Sequence, residues 1–142
     1  MPEESTTPDP VEQVRQSVEA GNRGELDAAI SYFAIDAVWD ASRSGVGIFQ
    51  GAATVRRFWE DWVCAYEELQ FAFEELLDVG NGVVFAVVRQ EARPVGTAGY
   101  LRQRSGWVWL WVDGLCASVT VYPEAEIDEA RAAAERPAKE RG

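Results

Sequence analysis

The chain has 142 residues, 13 basic against 24 acidic, a formal net charge of -11 and no histidine. That length suits one domain burying most of the surface its unfolded form exposes, and a 47% hydrophobic composition makes it globular. Without histidine there is no Ser-His-Asp or Cys-His catalysis and no histidine-held metal. With Lys139 the only lysine, phosphate backbones and anionic membranes find little to bind, so neither nucleic acid nor a membrane is expected as a partner.

Residues 1–10, with Pro2, Pro8 and Pro10, read as a disordered arm. Val11, Val14 and Val18 then recur at helical spacing up to Gly21-Asn22. A second short helix places Leu26, Ala29, Ile30 and Phe33 on its inner face. Residues 37–41 suit a short strand and 42–51, with three glycines, a loop. A third helix over 52–66 carries the apolar stripe Val55, Phe58, Trp59 and Trp62.

The period then changes to two. Leu69, Phe71 and Phe73 alternate with polar or small residues, and Asn81-Gly82 marks a tight turn into Val83–Val88. A long strand over 100–112 and its return over 115–122 flank the hairpin turn Asp113-Gly114. From Glu124 an alanine-rich, charged helix runs until Pro137 stops it, with residues 134–142 a flexible charged tail. Three helices followed by a meander predict an α+β domain over 11–133, the helices covering one face of a bent antiparallel sheet.

Trp107, Trp109 and Trp111 share one strand face by period two. Core packing, an identical sheet in a dimer and a ligand platform would each keep three indoles dry. Val83, Phe85, Val87, Arg89 and Glu91 share another face. The charged pair either extends that face into a cavity, where each charge must be hydrogen-bonded, or emerges at its rim. Cys64 and Cys116 are too far apart in sequence for a metal motif and read as buried thiols. No glycine-rich loop leads into Lys-Ser or Lys-Thr, and no cofactor or metal is expected. No basic leader precedes an apolar run and no apolar stretch reaches the length of a span, so a soluble cytoplasmic protein is expected.

The string Ala34–Trp39, the Phe49-Gln50-Gly51 step into the helix bearing Val55, Phe58 and Trp59, and the ending from Asp113-Gly114 to Val121-Tyr122-Pro123-Glu124 resemble the SnoaL-like branch of the nuclear-transport-factor-2-like superfamily. The resemblance implies a cone with a strongly bent sheet around three helices, an apolar pocket between them, and a homodimer through the sheet face carrying Trp107, Trp109 and Trp111. It also implies site positions. Those of the ketosteroid isomerases fall on Ser17, Ala41 and near Trp107, so base and donors are both missing. Of the Asp-Arg-Asp triad of the limonene-epoxide hydrolases, Arg89-Gln90-Glu91 matches the Arg-x-Asp step, Val121 stands at the remaining Asp, and Trp39 and Ala41 stand at the assisting Tyr and Asn positions.

The expectation is therefore a small apolar molecule in a pocket lined by Tyr32, Trp39, Trp59, Phe85, Val87 and Val119. The alternative is a lyase, isomerase or hydrolase on a polyketide-like or terpenoid substrate. In it Glu91 would be the acid/base, Arg89 its electrostatic support and Asp40 a further carboxylate.

Overall fold

A computed structural model describes residues 9–136; the proposed arm over 1–8 and the tail over 137–142 lie outside the described residues. Helix α1, Pro10–Asn22, starts where Asp9 Oδ1 accepts a hydrogen bond from the Val11 N–H and Pro10 supplies a preset φ. Helix α2, Leu26–Ile30, is followed by strand β1, Phe33–Asp40. Phe33, expected on the helix, instead opens the strand.

Within the expected loop over 42–51, one 3₁₀ turn at Ser42–Ser44 leads to a short edge strand β2, Ile48–Gln50. Helix α3, Ala52–Cys64, precedes the long strands β3, Tyr66–Gly80, and β4, Val83–Pro94. Strands β5, Leu101–Val112, and β6, Leu115–Pro123, form the last hairpin, and a 3₁₀ turn leads into α4, Ile127–Glu135. Both expected hairpin turns have left-handed backbone at both central residues, Asn81-Gly82 and Asp113-Gly114. Gly82 has a second constraint, since a Cβ there would sit 2.3 Å from the Trp111 carbonyl oxygen.

The six strands form one curled sheet in the order β2-β1-β6-β5-β4-β3. All neighbours are antiparallel except β1 and β6, which run parallel, so the sheet is mixed rather than purely antiparallel. The fold class is α+β, as expected.

Alternation along β4 and β5 divides the core. Val84, Ala86 and Val88 with Trp107, Trp109 and Trp111 face inward, against Val14 and Val18 of α1, Ala29 of α2 and Val55 and Trp59 of α3. Val83, Phe85 and Val87 face outward and are covered by Ile127, Ala130 and Ala134 of α4.

Two expectations change here. The indoles of Trp107, Trp109 and Trp111 are buried by the chain's own helices, so that face cannot be shared with a second copy. Ala134, placed in a flexible tail by the sequence, is a buried residue of α4. Helix α4 comes down on Gly106, where a Cβ would lie 2.9 Å from the Ala130 Cβ, and the absence of a side chain there lets the helix seat. Arg131 fixes it further by a two-pronged pair with Glu75, at 2.9 and 3.1 Å.

Candidate functional site

The inner face of the curl encloses two adjoining spaces. The inner one, about 50 Å³, is bounded by Ser17 and Val18 of α1, Ala29 of α2, Trp59 of α3, and Leu69 and Trp109 of the sheet. The outer one is an open cleft of about 710 Å³ between α3 and residues of β1, β4, β5 and β6, within the size range of small-molecule sites. Trp39, Trp62 and Trp107 border both.

These rings are packed edge to face. Trp39 lies 5.2 Å from Trp107 at 80° and 6.4 Å from Trp62 at 72°, between ring centroids. Phe71 closes the group, 5.2 Å from Trp62 and 5.8 Å from Trp107. Asn22 at the end of α1 fixes the position of Phe71: its side-chain amide donates to the Phe71 carbonyl and accepts from the Phe71 N–H, both at 2.9 Å. One side chain thus supplies the pairing a neighbouring strand would give, and it holds α1 against β3.

The positions that the resemblance marked lie along these spaces. Ser17 lines the inner cavity, Ala41 and Val121 the cleft, and Trp107 both. Their chemistry is absent. The Ser17 hydroxyl donates to the Ala29 carbonyl at 2.9 Å, a methyl and an isopropyl group stand at 41 and 121, and the Trp107 indole N–H donates to Ser105 Oγ at 2.9 Å. The indole nitrogens of Trp109 and Trp111 are buried without a hydrogen-bond partner, a cost that packing of the large rings must offset.

The proposed catalytic residues lie elsewhere. Arg89 and Glu91 emerge from the outer face of β4, 37% and 35% exposed. Arg89 Nε donates to Glu91 at 3.1 Å, Arg102 reaches the same carboxylate at 3.2 Å, and Arg89 also pairs with Glu74. The residue between them, Gln90, is the one that lines the cleft. A match of Arg-x-acid by sequence is therefore one residue out of phase with the cavity, and in a strand that reverses the face. Asp40 is also outside: its carboxylate caps the turn after β1, accepting from the Ser42 N–H at 3.0 Å and the Ser42 hydroxyl at 2.6 Å.

Of the proposed pocket residues, Trp39 and Trp59 line the inner cavity. Val119 is inside, but as solid core. Phe85 and Val87 point the other way and are buried under α4. Tyr32 packs at the border of the inner core and donates its hydroxyl to Gln16 Oε1 at 2.8 Å, bordering neither space.

The polar residues the sequence reading missed are Gln90, Gln103 and Asp61. Gln90 and Gln103 are direct cross-strand partners on the cleft floor, and Asp61 stands beside Trp62 on α3. Period two groups Gln90 with Val84, Ala86 and Val88, but only the fold shows that this group faces inward. Arg104, also at the cleft, is held by Glu74 at 2.8 Å and Glu124 at 3.3 Å. The hydrogen bond to Glu74, then that to Glu124, raises the pKa of its guanidinium, which stays charged and is no proton donor near neutrality.

Burial pushes the Cys116 thiol up, which leaves it an unreactive core residue; Cys64, expected inside, is exposed. Among the described residues no group of three His, Cys, Asp or Glu is placed to hold a metal ion, and no helix is long and apolar enough to cross a membrane.

Comparison with known proteins agrees with this fold. The model of the SnoaL-like domain family matches residues 14–119. No match was found among curated proteins. Of the solved structures, a protein of ketosteroid isomerase-like fold from Catenulispora acidiphila, in complex with trimethylamine, is 15% identical with a TM-score of 0.72, covering 94% of this chain and 98% of its own. TerC, co-crystallised with polyporic acid, is 13% identical with a TM-score of 0.72, covering 85% and 96%. SalBIII, an epoxide hydrolase/cyclase-like enzyme of pyran ring formation in the polyether salinomycin, is 19% identical with a TM-score of 0.69, covering 80% and 89%. At these identities the likeness is one of fold.

Proposed function

The chain belongs to the SnoaL-like domain family, and from that premise we propose that it binds a small hydrophobic molecule in the aromatic cleft and performs no acid-base chemistry there through Arg89 and Glu91. The observation that carries the reading is the wall of Trp39, Trp62 and Trp107 between cleft and inner cavity, with Ser17, Ala41 and Val121 where related folds place donors, bases and acids. Large rings give a ligand apolar contact, and Gln90 and Gln103 offer amide groups that can orient its polar end. The neighbours co-crystallised with polyporic acid and trimethylamine support small-molecule binding by this fold.

The enzymatic alternative loses its geometry with Glu91 outside the cleft, since a general acid or base must come within hydrogen-bond reach of the reacting group. The test is a titration of tryptophan fluorescence with a β,γ-unsaturated ketosteroid and with a terpene epoxide, alongside turnover assays of both. Saturable quenching that is weakened in Trp62→Leu and unchanged in Glu91→Gln, with no product formed, is the expected result. Turnover that disappears in Glu91→Gln would overturn it.

A further inference from the structure

We infer that Ser105 selects the ligand of the cleft by donating its hydroxyl proton to the oxygen of an uncharged carbonyl compound. The inference rests on the reading of the cleft as a binding site and names the residue that discriminates among apolar molecules there.

Hydrogen-bond capacity comes first. An indole N–H can only donate, so in the 2.9 Å contact between Trp107 and Ser105 the serine oxygen is the acceptor. The single hydroxyl hydrogen of Ser105 is thereby turned away from the indole and needs an acceptor of its own. Among the described residues no group accepts it. The other neutral polar side chains of the lining, Ser44, Tyr66, Gln90 and Gln103, can each donate or accept. Ser105 alone among these is preset as a donor by a neighbouring ring.

Strand register puts this donor at a boundary. Gln90 and Gln103 pair across β4 and β5, and two residues further along β5 Ser105 stands opposite Val88 on one side and Pro123 on the other. The next inward residue of β5 is Trp107, flanked by Ala86 and Val121. The polar floor thus ends at Ser105, where the apolar wall begins. An oxygen carried directly on a hydrocarbon skeleton meets both at once. A hydrocarbon that displaces water there leaves the hydroxyl unpaired, at a cost in affinity.

Charge narrows the class. The ionised lining residues are Asp61, Glu124 and Arg104, and Arg104 is already held between Glu74 and Glu124. An anionic oxygen would accept from Ser105 but would face those carboxylates in a chain of net charge -11. An ammonium group brings donors to a place that already offers one. A ketone oxygen accepts without charge and without a hydrogen of its own.

The experiment is a ligand-observed NMR titration of the full chain with indan-1-one, labelled with ¹³C at the carbonyl, and with indane, which has the same rings and no oxygen. Ser105→Ala is expected to weaken indan-1-one about fivefold, the usual net worth of one hydrogen bond, to leave indane unchanged, and to move the carbonyl resonance of the bound ketone upfield. Ser105→Thr, which keeps the hydroxyl, is expected to bind the ketone as the native chain does. An equal loss for both ligands would overturn the proposal, since Ser105 would then act only by seating Trp107, and so would an unchanged affinity for the ketone. The native chain alone also decides: a bound carbonyl resonating where it does in an alkane solvent accepts no hydrogen bond, which would overturn Ser105 as donor and leave the cleft standing as an apolar site. Absence of binding by indan-1-one, indane, the ketosteroid and the epoxide alike would overturn both readings.

Discussion

The two faces of β4 and β5 differ in what covers them and in what they can do. The inner face is lined with indoles and meets α1, α2 and α3 incompletely, so it retains a cavity and a cleft. The outer face is covered differently. Its apolar half lies under α4, and its polar half carries the ion pairs that join Arg89, Glu91, Arg102, Arg104, Glu74 and Glu124. Both faces are built by the same alternation, so neither pattern alone distinguishes a binding surface from a closed one. What separates them is whether the covering layer fits. The helices on the inner face leave a gap beside α3, whereas α4 lies directly on Gly106.

The largest expected effect is on the inner face. Trp109→Ala removes a 1% exposed indole packed among Phe33, Trp107 and Trp111 and is expected to cost about 3–5 kcal/mol by chemical denaturation. A loss under about 1 kcal/mol would mean that the cavity beside it collapses freely and that the inner face is not the rigid one.

Next is Gly106→Ala, which puts a methyl group against Ala130. The expected loss is about 1–3 kcal/mol, the usual range for overpacking, with faster hydrogen exchange confined to α4. Unaltered exchange in that helix would show that it does not depend on the close approach.

Arg89→Met should cost less than about 1 kcal/mol, because its partners are partly exposed carboxylates that water can solvate. A loss of several kcal/mol would show instead that Glu91 is left unpaired and desolvated, and would reopen the catalytic role proposed for the pair.

The smallest effect concerns the anchor of α4. The hydrogen bond from Arg131, with its charge, holds the Glu75 carboxyl below the ordinary carboxylate range. A group with a lowered folded-state pKa contributes stability that is present above its unfolded pKa and is lost as the pH falls through the folded value. The stability difference between the native chain and Glu75→Gln should therefore be present at neutral pH and shrink on acidification, measured by urea unfolding at a series of pH values. A difference that grows in acid would contradict the pairing.

The elements themselves were legible locally. Helical spacing of Val11, Val14 and Val18, the Asn81-Gly82 and Asp113-Gly114 turns and the alternation from Val83 onward are consequences of backbone geometry acting over a few residues. The SnoaL-like pattern allowed the order of elements to be read, and the positions it marked, Ser17, Ala41, Trp107 and Val121, line the two inner spaces.

Which face of a strand is inside was not legible. Alternation groups Val83, Phe85, Val87, Arg89 and Glu91 together and Val84, Ala86, Val88 and Gln90 together, but it does not say which group meets the three helices. That depends on where α4, a helix beyond the sheet strands in sequence, comes to lie. Once α4 takes the outer face, Phe85, Arg89 and Glu91 leave the pocket, Gln90 enters it, and the tryptophans of β5 become an internal wall instead of an interface. The sequence determined a two-faced sheet and the residues on each face. The tertiary structure decided which face would be left with room for a ligand, because a cavity is what remains when distant elements fail to fill a space, and no local pattern records that remainder.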